Sequence, residues 1–229
     1  AQCLVGSEMC IRDRYWNILG KTCTNGSSEL MTNLSSSIVN TLFNFQLMHF
    51  AGEDGVAAYG TLMYVNFIFV AIFLGYSIGS APIVSYHYGA RNSEELKNLL
   101  TKSLKMIGVW SVALFALAQL IASPLARIFV GYDPNLFDLT RHGFRIFCLA
   151  FLVNGFNIYG SSFFTALNNG LLSAVISFLR TLVFQIASVL LLPMIFGIDG
   201  IWGAVFVAEI LTLCVTIICL AKKQKVYHY

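Results

Sequence analysis

The sequence is short of charge. Charged residues make up 11% of its 229 positions, against 57% hydrophobic ones. A soluble domain carries about 25% charged residues. The shortfall removes the solvated surface that a water-soluble fold needs and leaves an outside that faces lipid. Disulfide chemistry is also missing. Cys3, Cys10, Cys23, Cys148, Cys214 and Cys219 form no CxxC pair, and the last three sit in apolar segments, where thiols serve as small packing residues. His49, His87, His142 and His228 never fall into an HxxxH or HExxH pattern. No GxSxG elbow and no phosphate-binding loop occurs, so enzyme chemistry is poorly represented. No ATP-binding domain accompanies the apolar segments, so any pumping draws on an ion gradient or on partners. The formal net charge of +3 comes without a basic run interleaved with aromatics, which speaks against nucleic acid as a partner. No positive-then-apolar leader is readable at the start.

What is present is hydrophobic length. Six apolar segments are expected, at about 28–50, 56–88, 96–122, 143–167, 171–196 and 201–220. Each is long enough for a bilayer crossing of about 20 residues. The expected organisation is an all-α, polytopic membrane protein with a six-span lobe over 28–222. A cytoplasmic linker (15–27) precedes it and a cytoplasmic tail (223–229) follows. Residues 1–14, AQCLVGSEMCIRDR, are out of keeping with the rest and read as a non-native, adapter-derived start. An AGEDG turn separates the first two segments, and Pro82 predicts a kink within the second. Asn92 or Ser93 should cap the third helix, with Glu94 and Glu95 in its first turn. Ser123-Pro124 should end that helix, before a longer loop carrying VGYDPN.

With six spans, both ends lie on one side. That side holds Lys21, Arg91, Lys97, Lys102, Lys105, Lys222, Lys223 and Lys225, and the other holds Arg127, Arg141 and Arg145. The imbalance predicts cytoplasmic termini.

Two segments carry polar stripes. Glu29, Asn33, Ser36, Asn40 and Asn44 fall within roughly an 80° arc of a helix, with Leu34, Ile38, Leu42 and Phe45 opposite. Lipid does not tolerate a carboxylate and several carboxamides unless they face protein or water. The stripe therefore lines a wet cavity, or else it glues helices together through hydrogen bonds. Asn154, Asn157, Ser161, Thr165 and Asn168 repeat the pattern in the fourth segment, also within roughly 80°. Gly155 and Gly160 there permit close backbone approach. Arg180 and Glu209 are the charges deep in the last two spans. An axial offset of roughly 12 Å leaves open whether they pair or face the interior separately. Gly75, Gly79 and Pro82 suit either plain packing with a kink or a helix that bends during transport. Some of the 19 phenylalanines can line a pocket for flat apolar cations.

The stretch GYSIGSAPIVSYHYGARNSEELK carries Gly75, Gly79, Pro82, Ser85, Gly89, Ala90 and Asn92 at a spacing that resembles the MATE (multidrug and toxic compound extrusion) transporters. Ile78 and Ser80 stand where many relatives have Gln nearby. SSFFTALNNGLLSAVISFLR and LLPMIFGIDGIWGAVFVAEILT agree in order and spacing. The resemblance covers about Gly26 to Lys223 and matches the carboxy-terminal lobe of that family. It implies a twelve-span antiporter of two six-helix lobes in a bacterial inner membrane. Small amphipathic cationic substrates would leave in exchange for H⁺ or Na⁺, with no other cofactor. It also implies a partner lobe on the amino-terminal side, without which this lobe does not transport. Glu29 matches an acidic position that some branches use for substrate or ion. The alternatives are a flippase for lipid-linked oligosaccharide from the same superfamily, a membrane-embedded enzyme, and a purely structural subunit. A flippase of that kind carries several basic residues in its cavity. The missing His and carboxylate clusters disfavour an enzyme, and the polar stripes argue against a purely structural role.

Overall fold

The computed structural model describes residues 16–227 and is all-helical there. The side chains of Glu29 and a few neighbours, and of residues beyond Gln224, lie outside the described part. So does the expected adapter-derived start at 1–14.

Helix α1 (Trp16–Gly89) is followed by α2 (Ser93–Val130) and α3 (Pro134–Phe147). A 3₁₀ turn (Cys148–Ala150) joins α3 to α4 (Phe151–Ala166). Then come α5 (Gly170–Phe178), a π-helical segment (Leu179–Phe184), α6 (Gln185–Phe196) and α7 (Ile198–Tyr227). Five runs are long and apolar enough to cross a membrane: Thr32–Gly89, Ser93–Val130, Pro134–Ala166, Gly170–Phe196 and Ile198–Gln224. The first holds 58 residues, about 87 Å of helix at 1.5 Å per residue, far beyond a bilayer core of about 30 Å.

That run doubles back. Gly52 has φ 64° and ψ −150°, a conformation that a residue with a side chain rarely adopts. Beyond it, the Tyr59 ring stacks on Phe43 at 5.1 Å, and the Tyr59 hydroxyl donates to Asn40 Oδ1 at 2.8 Å. Residues seven beyond the bend thus meet residues nine and twelve before it, which requires antiparallel legs. α1 therefore supplies two spans, hinged at the expected AGEDG turn, and the lobe has six legs. Exposed side chains such as Leu120, Ile128, Met194 and Ile195 are apolar, as a lipid-facing surface requires. The chain is a multi-pass membrane protein.

Several boundaries differ from expectation. The segment read as a linker is helical from Trp16 onward, and α7 continues through the first part of the expected tail. Pro82 does not break its helix, since Gly52 is the residue of α1 with non-helical dihedrals. α2 runs past Pro124 to Val130. The expected long loop shrinks to three residues because Asp133 caps α3, its Oδ1 accepting from the Asn135 and Leu136 amides at 2.8 and 3.4 Å. Pro134 sits in the first turn of α3, where its missing N–H costs nothing. In the absence of competing water, a helix interrupted by proline still satisfies more backbone groups than a loop would. The cap on α2 is Asn92, which accepts from the Glu95 amide at 3.1 Å.

α4 is the most enclosed leg. Phe151, Asn154, Gly155, Asn157, Tyr159, Gly160, Phe163 and Phe164 are all buried. Its glycines admit neighbours at closest approach. A Cβ on Gly155 would lie 2.6 Å from the Phe73 ring and 2.8 Å from Ile107, and one on Gly160 would overlap the Thr216 side chain. Gly75 and Gly79 behave oppositely. A Cβ on either meets nothing within 4 Å, so the expected GxxxG packing face does not pack within this lobe.

This contrast fixes an expected outcome. Gly155→Ala should lower the melting temperature of the detergent-solubilised chain, with overpacking costing about 1–3 kcal/mol. Gly75→Ala should leave it unchanged or slightly raised, because Ala favours helix over Gly. A thermal melt followed by tryptophan fluorescence reads both.

Candidate functional site

A cavity of about 460 Å³ lies between the two legs of α1 and the inner faces of α4, the π segment, α6 and α7. One wall is the polar stripe of the first leg, where Thr32, Asn33, Ser36 and Asn40 line the space. The opposite stripe, with Leu34 at 55%, Ile38 at 50% and Phe45 at 72% exposure, faces away from the lobe. The helix thus turns Asn33 and Asn40 inward and Leu34, Ile38 and Phe45 toward lipid, while Leu42 of the apolar stripe packs half-buried against the core. Phe43, Phe67, Val70 and Phe147 add apolar and aromatic wall.

The other wall holds a buried ion pair. Arg180 Nε donates to Glu209 Oε1 and Oε2 at 2.9 and 3.1 Å, and Nη2 donates to Oε1 at 2.8 Å. Arg180 Nη2 also donates to Asn154 Oδ1 at 2.7 Å. Asn157 Nδ2 donates to Glu209 Oε2 at 2.7 Å and to its main-chain oxygen at 2.8 Å. Thr216 then donates to Asn157 Oδ1 at 3.2 Å. The Glu209 side chain is 3% exposed and that of Arg180 is 16% exposed. An unpaired ion at this depth would be costly, and the bidentate contact plus two carboxamides offsets its desolvation.

The offset anticipated between Arg180 and Glu209 closes for two reasons. α7 begins at Ile198, three residues earlier than expected, so Glu209 sits deeper by about 4.5 Å. Arg180 also lies on the π segment, whose i→i+5 bonding re-aims side chains.

The sequence-predicted residues divide into three groups. Asn33, Ser36, Asn40, Asn154, Arg180 and Glu209 line the one cavity. Asn157 and Ser161 do not line it. Asn157 is fully buried against α7, and Ser161 joins a hydroxyl cluster with Ser173 and Ser177 on α5, at 2.8 and 3.0 Å. The α4 stripe is therefore mostly interhelical glue, with Asn154 as its cavity-facing member. Asn44 lies outside the cavity, donating to the Asn40 main-chain oxygen at 3.0 Å. Glu29 belongs to α1, but its side chain lies outside the described residues.

The sequence reading passed over Asn66, Thr181 and Gln185, which also line the cavity. Asn66 is a lone carboxamide in the apolar run YVNFIFV, and isolation inside a span was its signal. Gln185 had no usable signal. On an α-helix it would point about 140° away from Arg180, whereas the π turn brings the two to one side.

Arg180→Gln should destabilise the chain by roughly 3–5 kcal/mol, since it leaves Glu209 buried and unpaired. The double change Arg180→Gln with Glu209→Gln should recover much of that loss. Thermal unfolding of the single and double variants in one detergent gives the coupling directly.

Comparison with known proteins identifies relatives of this chain. The MatE family model matches residues 30–191. The curated "Probable multidrug resistance protein YoeA" of Bacillus subtilis (strain 168) is 22% identical over 205 residues, covering 87% of this chain and 43% of that protein. An "FAD transporter" of Shewanella oneidensis (strain ATCC 700550 / JCM 31522 / CIP 106686 / LMG 19005 / NCIMB 14063 / MR-1) is 25% identical over 199 residues, covering 86% and 42% respectively. The chain thus spans under half the length of these curated relatives. Among solved structures, a MATE protein in complex with MaL6 superposes with a TM-score of 0.87 at 20% identity, over 94% of this chain and 49% of that one. Half of that structure shares the fold described above. By its match over most of its length, this chain belongs to the MatE family.

Proposed function

We propose that this chain forms one lobe of a secondary active efflux antiporter that moves amphipathic compounds outward in exchange for H⁺ or Na⁺. The observation that carries this reading is the cavity of about 460 Å³ with carboxamides on one wall and aromatic rings beside them. Its volume is in the range of small-molecule sites, roughly 300–1,000 Å³. Mixed walls suit a solute with an apolar body and a polar end, and carboxamides in a bilayer are costly unless they face protein, water or such a solute.

The likeness to proteins about twice as long supports a second, amino-terminal six-helix lobe as partner, with the cavity opening alternately to either side as the lobes rock. The outward-facing small stripe of Gly75, Gly79 and Pro82 suits a helix face that moves against such a neighbour. The distribution of Lys and Arg supports a plasma-membrane orientation with both ends in the cytoplasm of a bacterium. A preference for cationic compounds would rest on Glu29, which we assign to substrate or ion exchange.

The test uses a full-length gene that carries this lobe. Efflux of a fluorescent amphipathic dye from loaded cells should depend on the proton or sodium gradient, and Glu29→Gln should reduce it to the level of a vector control. Gradient-driven efflux that is unimpaired in Glu29→Gln would remove this residue from the coupling mechanism.

A further inference from the structure

The hydrogen bonds around the ion pair run in one direction. Both Glu209 oxygens accept from Arg180, and Oε2 also accepts from Asn157. Asn154 must present its oxygen to Arg180, because a guanidinium has donors only. Asn40 Oδ1 is occupied by the Tyr59 hydroxyl, and Asn157 Oδ1 by Thr216. Each of these oxygens already accepts one hydrogen bond inside the protein wall.

The donors are not all taken up. Among the described residues, Arg180 Nη1 makes no hydrogen bond, and neither does Nδ2 of Asn154 or of Asn40. None of the three is a sealed, unpartnered atom, and all three residues line the cavity. Arg180 and Glu209 are the charged residues described along this lining. Of the two, Glu209 is closed off at 3% exposure, and Arg180 retains 16%. At the Arg180 end a ligand therefore meets N–H groups and the edge of a guanidinium rather than a carboxylate, while Asn33, Asn66 and Gln185 add carboxamides to the lining that can donate or accept.

We propose that the Arg180 end of the cavity is an oxyanion site. It would take a carboxylate or phosphate carried by an amphipathic molecule, held by Arg180 Nη1 with the free carboxamide N–H group of the adjacent Asn154. This inference rests on the cavity reading above and departs from the cationic preference that would rest on Glu29, giving the ligand's polar end at Arg180 a negative charge. Glu209 and Asn154 position the guanidinium so that its unused edge faces the space, and Asn157 in turn holds Glu209. Because the pair is neutral as a unit, the empty site carries no large burial penalty. A bound oxyanion gains charge-assisted hydrogen bonds without stripping Arg180 of its first partner.

The test is equilibrium binding to the full chain in phosphatidylcholine nanodiscs. The probes are a dansyl-labelled undecanoic acid, its methyl ester and the matching undecylamine, which share an apolar body and differ at one end. The acid should bind roughly tenfold or more tightly than the ester, the effect of one hydrogen bond to a charged group. Arg180→Lys should keep part of that preference. The Arg180→Gln, Glu209→Gln double variant, which leaves no buried unpaired charge, should bind acid and ester equally. Equal binding by the unaltered chain, a preference for the amine, or a preference for the acid that survives in the double variant would each overturn the oxyanion site. These three outcomes leave the cavity reading intact. Absence of saturable binding by every probe would overturn both. Adding phosphatidylglycerol to the nanodisc separates two sources of the same chemistry. Competition with the acid probe assigns the site to a lipid phosphate, and lack of competition assigns it to a free amphiphile.

Discussion

The Arg180–Glu209 pair organises this lobe. It joins the π segment to α7, and Asn154 and Asn157 on α4 add one hydrogen bond to the guanidinium and one to the carboxylate. Three legs are thus held by one network in which neither ion can be left alone. A bilayer enforces this more strictly than water does, because it supplies no replacement partner for a broken contact. The geometry of the pair also sets the chemistry of the cavity. It hides the carboxylate and leaves one edge of the guanidinium facing the open space.

The first leg of α1 answers the same constraint differently. Several of its polar side chains satisfy themselves on their own helix. Ser36 and Thr41 donate to the main-chain oxygens of Thr32 and Ser37, at 2.7 and 3.0 Å. Such bonds let a helix carry hydroxyls through lipid without a neighbour. Asn44, outside the cavity, likewise donates to the Asn40 main-chain oxygen at 3.0 Å. Asn33 and Asn40 sit on the inner side, facing the cavity. The bend at Gly52 returns the chain so that Tyr59 meets Asn40, closing the cavity on that side. Gly155 and Gly160 bring α4 close enough to its neighbours for Asn154 and Asn157 to reach their partners.

Patterns of period 3.6 were legible in the sequence, and neighbours were not. The first-leg stripe was readable because one helix decides which of its sides is polar. The α4 stripe was readable as a stripe, yet its members serve three surfaces. Asn154 faces the cavity, Asn157 faces α7 and Ser161 faces α5, a division made by surrounding helices rather than by α4. The ion pair was suspected from two deep charges, and its geometry was obscured by the early start of α7 and by the π segment. Neither leaves a mark in hydrophobic periodicity. Proline misled at Pro124, where α2 continues to Val130, because rules drawn from helices in water overstate its power to end a helix in lipid.

The claim on which the account stands is that the polar face of the first leg meets water inside the membrane. Single cysteines placed in a chain otherwise free of cysteine test it most directly, using a charged, membrane-impermeant maleimide on the reconstituted protein. Asn40→Cys should be labelled, and Ile38→Cys, on the lipid-facing stripe, should not. Equal labelling of the two, or labelling of Ile38→Cys alone, would contradict a water-filled cavity at this face.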